Sequence, residues 1–340
     1  MSMPGENITL PQPVLGTARL APATPKILAA KISTLAAIPT AAAIATGVHY
    51  WCGDREPIPE PRYYTLMGIF FAFGLLMAIV QKFSPRARQW VADTCPIIAA
   101  GIVFLTIWEA GTAGFRLLPL PYFPSPASVL KGLIEDRAML FTSAMHSLWL
   151  LVRGYLLGVC FGFVTGVCVG WYAKARYWGM PVLKLLGPIP ATAWIPLAMV
   201  IAPKGYSAVG IVALAVWFPV AMLTMSGIAN TRAAYLDVAR TLGADEKFLV
   251  FRVAIPAAMP NIFLGLFMGL GSSFLTLIVA ETVGVKAGLG WYVAWAQGWA
   301  EYGKVYAALV IMAAFFSTIM TLLFKARDRV LVWQKGMIKW

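Results

Sequence analysis

Charge is scarce in this chain. Of 340 residues only 12% are Asp, Glu, Lys or Arg, whereas 60% are hydrophobic and the mean hydropathy is +0.76. Too few polar side chains exist to cover a water-soluble globule, so the composition is that of a membrane protein. Histidine is limited to His49 and His146, which argues against a His-based metal or general-base site. The cysteines, Cys52, Cys95, Cys160 and Cys168, are scattered without a Cys-x-x-Cys pair, which speaks against a disulfide framework and a structural zinc. No Gly-x-x-x-x-Gly-Lys-Ser/Thr run occurs, and Gly303-Lys304 is followed by Val305, so the chain carries no nucleotide-binding loop of that type. Net charge is +13, but the basic residues fall between apolar stretches instead of clustering. That distribution suits loops on one side of a membrane better than a nucleic-acid surface.

What the sequence has in quantity is long apolar runs. A spanning helix needs about 20 mostly apolar residues, because its backbone polar groups must be satisfied internally. Eight stretches meet that length, at roughly 27–51, 64–81, 96–113, 147–172, 180–201, 207–229, 257–281 and 305–324. Residues 1–26 are Pro-rich, polar and aperiodic, and read as a disordered cytoplasmic tail. With the N-terminus inside, most Lys and Arg residues fall on the inner side, among them Lys82, Arg86, Lys174, Arg176, Arg240, Lys247, Lys325 and Arg329. The even span count and this bias together place both termini in the cytoplasm. The fold class expected is an all-α polytopic bundle.

Three spans carry unusual chemistry. Gly154, Gly158, Gly162, Gly166 and Gly170 recur at a strict spacing of four, which in a helix draws a ridge without side chains and lets a neighbouring backbone approach closely. Gly265 and Gly269 repeat the spacing as a single pair. Pro181, Gly187, Pro188, Pro190 and Pro196 interrupt the fifth stretch, so that helix must kink or break. Irregular backbone at membrane depth survives where protein or a water-filled cavity covers it, which makes Pro188, Pro190, Thr192 and Trp194 candidates for a transport path. Ser272, Ser273 and Thr276 share a helix face, and Glu281 follows near the outer end. The hydroxyl stripe is a candidate path lining, although such hydroxyls singly tend to bond back to their own helix. Glu109 and Arg153 also lie inside apolar segments, where an ionised group needs a partner or water; pairing with each other and snorkelling to the interface are equally open to them.

The segment 230–256 is the most informative. Asn230 or Thr231 can cap a helix with Tyr235, Val238, Ala239 and Leu242 as its apolar stripe, and Gly243 stands where a left-handed turn ends it. A second short helix begins at Asp245 and carries Phe248 and Phe251, before Pro256 opens the next span. Two short helices meeting at a turn on the cytoplasmic face, with a narrow Ala-rich stripe, suit a protein groove better than a lipid surface.

This knuckle resembles the EAA loop of permease subunits in ATP-binding-cassette importers. The family pattern is Glu-Ala-Ala, three residues, Gly, nine residues, then Ile-x-Leu-Pro. Here Asp237-Val238-Ala239, Gly243 and Val253-Ala254-Ile255-Pro256 stand at those positions, with conservative departures. Within the importers the chain is most similar to the nitrate/sulfonate/taurine branch. It offers Phe123-Pro-Ser-Pro126, Arg153, Pro188-Ile-Pro-Ala-Thr-Ala-Trp194-Ile-Pro196, Glu281-Thr-Val-Gly284 and Gly288-Leu-Gly290. The resemblance covers about residues 96 to 335. It implies a six-helix permease core over 96–325, preceded by two additional helices over 27–95 and followed by a cytoplasmic tail over 326–340.

Several further expectations come from the resemblance alone. Two permease copies, a homodimer in the simplest case, would form the pathway in a bacterial inner membrane. Two ATPase subunits would bind ATP and Mg below, and an extracytoplasmic binding protein would deliver a small solute such as nitrate, a sulfonate or taurine. Asp237, Val238, Ala239, Gly243, Ile255 and Pro256 would couple the ATPase to the spans, and this chain would itself be no enzyme and bind no cofactor. The rival class is a secondary transporter driven by an ion gradient, which predicts intramembrane acidic or His relays and an internal repeat; the hydropathy pattern shows no repeat. A membrane enzyme is a weaker rival, since no nucleophile with a base partner can be assembled.

Overall fold

The computed structural model describes residues 32–53, 60–81, 83–202 and 206–332. The expected N-terminal tail, the start of the first apolar stretch and the last eight residues of the C-terminal tail lie outside them. The described residues are mostly helical, with no strand among them. In chain order the elements are α1 (Ile32–Gly53), α2 (Pro61–Val80), α3 (Pro85–Glu109, continued by a π turn over Ala110–Gly114), α4 (Pro126–Glu135) and α5 (Arg137–Trp171). They continue with α6 (Ala173–Leu186), a 3-10 turn (Ala191–Trp194), α7 (Ile195–Ile201), α8 (Tyr206–Ala229), α9 (Ala233–Thr241) and α10 (Glu246–Phe248). A π turn (Leu249–Ala254) then leads into α11 (Ile255–Gly284), followed by α12 (Leu289–Gly298) and α13 (Tyr302–Val330).

Six helical stretches are long and apolar enough to cross a membrane, or seven if α6 and α7 form one span broken by a bend of 87°. Eight were expected. The missing one is α1, which is a helix of 22 residues but is not among the qualifying stretches within the described residues. The all-helical, polytopic architecture stands.

The chain divides into two compact units, one drawn from Met1–Ala43 with Gly68–Val103, the other from Ile44–Met67 with Phe104–Trp340. In the smaller unit a Cβ on Gly74 would come within 2.8 Å of the Pro39 ring, and the Phe73 and Trp90 rings meet edge to face at 6.1 Å.

The larger unit is organised around α8. Lipid tails are as apolar as leucine, so removing apolar surface from water cannot hold these helices together; close packing and internal hydrogen bonds must. The five glycines of α5 all face α8. A Cβ on Gly154, Gly158, Gly162, Gly166 or Gly170 would fall 2.6 to 2.9 Å from the Cβ or first branch atom of Val212, Val216, Val220, Thr224 or Ile228 respectively. A glycine groove on one helix thus receives a ridge of β-branched residues on the other, both at a spacing of four. Val216 and Val220 also meet α11, where Gly269 and Gly265 leave room at 3.2 Å. Around this stack, Leu150, Leu151, Val212, Leu270, Phe274 and Leu277 form a buried cluster.

The remaining helices are fastened by polar ties. Ser125 Oγ caps α4 by accepting the Ser128 N–H at 3.2 Å, the usual role of a serine before a helix that opens with proline. Tyr292 on α12 donates its hydroxyl to Asp136 Oδ2 at 2.7 Å, and Lys304 bridges Asp136 (3.3 Å) and Glu301 (2.6 Å). Burial, and then the Asp136 hydrogen bond, push the Tyr292 phenol above its ordinary range.

Candidate functional site: a broken span beside an uncharged cavity

The prolines of the fifth apolar stretch act where their chemistry predicts. Helix α6 stops at Leu186, Gly187–Pro190 forms a turn, and α7 restarts with Pro196 inside its first turn. Gly187 is pressed against the Phe218 ring, so that any side chain there would collide with it.

This break forms one wall of a cavity of about 710 Å³. Pro190, Thr192 and Trp194 line it from the break, Trp217 and Phe218 from α8, and Ser272 and Thr276 from α11. Five of the residues singled out in the sequence therefore share one cavity: Pro190, Thr192, Trp194, Ser272 and Thr276. Three others do not line it. Pro188 stays in the turn, and Ser273 is fully buried with its hydroxyl donating to Leu270 O at 2.6 Å. Glu281 is likewise sealed from the cavity. Its Oε1 accepts the Ser147 hydroxyl at 2.7 Å and its Oε2 accepts the Gly290 N–H at 2.8 Å, while Ser147 Oγ accepts the Leu289 N–H at 2.8 Å. Glu281 is thus a tie between α5, α11 and the start of α12.

Glu109 and Arg153 do not pair. Glu109 Oε1 lies 2.8 Å from His49 Nδ1, with both side chains 1% exposed, whereas the exposed Arg153 guanidinium lies over the Trp149 ring at 4.6 Å. The carboxylate finds an imidazole sixty residues earlier in the sequence; the arginine finds an aromatic face that tolerates its charge. Tyr63 and Tyr64 close around His49, with ring centroids at 4.5 and 4.6 Å.

In the segment 230–256, α9 ends as the sequence indicated. Gly243 is left-handed at φ +83°, its N–H bonds to Arg240 O at 2.9 Å, and the Ala244 N–H bonds to Ala239 O at 3.0 Å. The start differs. Arg232 is the N-cap and offers no side-chain bond, because Asn230 Nδ2 donates to Ser226 Oγ (3.2 Å) and Thr231 Oγ1 to Gly227 O (3.4 Å), which extends the end of α8 instead. Asp245 does cap α10, accepting the Phe248 N–H at 2.9 Å. Yet α10 has three residues and runs through the π turn into α11, so the second short helix is the first part of the span. Asp237 pairs with Arg240 at 3.3 Å on the surface, and Ile255 and Pro256 open α11 half-buried. Tyr235, Val238, Leu242, Phe248 and Phe251 all stand exposed. Exposed apolar side chains thus flank the polar turn on both sides.

The bundle thus holds a broken span against a cavity and leaves α9, outside the spans, with an exposed apolar stripe. Residues 158–331 match the family described as the binding-protein-dependent transport system inner membrane component, and the chain belongs to that family. It is 30% identical over 215 residues to the putative aliphatic sulfonates transport permease protein SsuC of Bacillus subtilis, an alignment covering 62% of this chain and 77% of that one. The taurine transport system permease protein TauC of Escherichia coli is 28% identical over 247 residues, with 69% and 90% covered. The nitrate import permease protein NrtB of Synechococcus elongatus is 26% identical over 271 residues, with 74% and 93% covered. The chain is accordingly a multi-pass inner-membrane permease of the ATP-binding-cassette importer class, a transport subunit whose ATP is hydrolysed by a separate partner and whose solute comes from a binding protein.

The β-branched ridge and the His49–Glu109 pair were missed in the sequence. The ridge had a signal: Val212, Val216, Val220, Thr224 and Ile228 keep the same spacing of four as the glycines.

Proposed function

We propose that two copies of this chain form the pathway for a small solute of the kind that SsuC, TauC or NrtB is named for, with residues 96–325 as the conducting core. Residues 27–95 are an addition to that core. Both termini lie in the cytoplasm, which rests on the charge bias of the loops and on α1 crossing the membrane. The cavity beside the broken span belongs to the path, with Pro190, Thr192, Trp194, Ser272 and Thr276 facing the solute and the glycine ridge of α5 holding the wall rigid.

The observation that carries this reading is the exposed knuckle. An apolar stripe of Tyr235, Val238 and Leu242 that ends at a left-handed Gly243, with Phe248 and Phe251 exposed just after it, supports a groove on the ATPase as its cover. Asp237, Val238, Ala239, Gly243, Ile255 and Pro256 then transmit the closure of the ATPase to α8 and α11, which the segment joins, a coupling between two states of the assembly.

The test is substitution in the knuckle. Gly243→Pro forces φ to about −65° where +83° is needed and removes the N–H that bonds to Arg240 O. Asp237→Lys reverses an exposed charge without touching the core. Each variant inserts into the membrane, loses the ATPase on purification and loses uptake; undiminished uptake in either contradicts the docking role.

A further inference from the structure

The cavity has a chemical character that the transport reading does not require. Among the described residues that line it no side chain is charged, and the carboxylate nearest in sequence, Glu281, is fully engaged by Ser147 and Gly290. Its polar groups are also left open. Elsewhere in the helices hydroxyls are bonded to their own backbone, as Thr165 is to Phe161 O (2.6 Å), Ser273 to Leu270 O (2.6 Å), Thr282 to Val279 O (2.8 Å) and Thr318 to Ala314 O (2.7 Å). Thr192, Ser272 and Thr276 make no such bond among the described residues. The two indoles divide in the same way: Trp217 gives its N–H to Thr165 Oγ1 at 3.2 Å, whereas that of Trp194 has no hydrogen-bond partner among the described residues.

We propose that this cavity selects an organic solute without net charge, whose flat or short alkyl body lies against Trp217 and Phe218 and whose polar end is held by Thr192, Ser272, Thr276 and Trp194. The proposal rests on the cavity being part of the solute path, and of the solutes that SsuC, TauC and NrtB are named for it keeps taurine, a zwitterion without net charge, and sets aside nitrate and the sulfonates. Its physical basis is a comparison of costs. A net charge entering here leaves water without meeting a counter-charge among the described lining residues, and that desolvation is costly. A neutral polar group loses only hydrogen bonds to water, and the open hydroxyls and indole N–H replace them. The volume, about 710 Å³, falls in the range of small-molecule sites and is far larger than a bare inorganic anion needs. Aromatic walls favour a ring or methylene chain over a hydrated ion.

The experiment uses the full permease–ATPase complex in nanodiscs without the binding protein, so that selection by the delivery protein does not enter. Benzamide and benzenesulfonate share a ring and differ in charge, and saturation-transfer NMR reads weak contacts of both. Benzamide gives the stronger transfer by roughly fivefold or more, with little dependence on salt, and Ser272→Ala or Thr276→Val weakens it by about fivefold. Trp194→Phe keeps the aromatic wall and loses the same kind of increment, which guards against a folding defect in the hydroxyl variants. Equal or stronger transfer to benzenesulfonate, or benzamide transfer unchanged in all three variants, overturns the proposal. Co-purification of the ATPase reports separately on the permease reading, so a complex that assembles but favours benzenesulfonate refutes the charge preference alone.

Discussion

Ser147 Oγ donates a 2.7 Å hydrogen bond to Glu281 Oε1 and accepts the Leu289 N–H at 2.8 Å, while Glu281 Oε2 accepts the Gly290 N–H. One hydroxyl and one carboxylate therefore satisfy the start of α12 and fix it to α5 and α11. Both side chains are at most 1% exposed, so each bond, once broken, leaves a buried group with no water to replace the partner.

From this tie we expect Ser147→Ala to destabilise the detergent-solubilised protein by about 1–3 kcal/mol, and Glu281→Ala by more, because the Ser147 hydroxyl and the Gly290 N–H both lose their acceptor. Thermal unfolding followed by size-exclusion checks the order. Solute affinity of the surviving folded fraction should be unchanged, since neither side chain lines the cavity; a specific loss of solute affinity in Ser147→Ala would return Glu281 to the path.

The glycine groove sets a second expectation. Gly158→Ala places a methyl 2.5 Å from Ala213 O, and neither helix can shift without moving four other contacts of the same kind. Overpacking there should cost about 1–3 kcal/mol, whereas Gly210→Ala, with nothing within 4 Å, should be neutral. Within the facing ridge, Thr224 Oγ1 is buried with no hydrogen-bond partner among the described residues, so Thr224→Val should be neutral or stabilising by about 1 kcal/mol. Thermal midpoints of the three variants decide the matter, and a tolerated Gly158→Ala would contradict the packing role.

Removing one member of the His49–Glu109 pair strands the other in a site where both are 1% exposed. A single change to alanine at either position should cost about 3–5 kcal/mol, and the double change clearly less than the sum of the two. Additive losses in this cycle would mean that the 2.8 Å contact contributes no coupling.

The sequence was most legible where a period repeats. Five glycines at one spacing identified a packing face, the prolines between 181 and 196 identified a broken span, and Gly243 identified a left-handed helix end. It was least legible where direction or distance in the chain decides. Ser272 and Ser273 are adjacent, but neighbours on a helix point about 100° apart, and only the packing of α11 tells which faces the cavity. Glu109 and Arg153 both needed partners; spacing could not show that an imidazole sixty residues away would reach the carboxylate first. Asn230 and Thr231 are good helix caps by type, and the end of α8 bound them before α9 could.

The central claim is that this permease is driven by ATP hydrolysed on a partner docked at the knuckle. Its most direct test is uptake by proteoliposomes holding this chain, its co-purified ATPase and its binding protein, with ATP supplied on the cytoplasmic side and ionophores added to collapse every ion gradient. The account predicts uptake that requires ATP and survives the ionophores. Uptake that persists without ATP and vanishes with the gradient would contradict it and make the chain a secondary transporter.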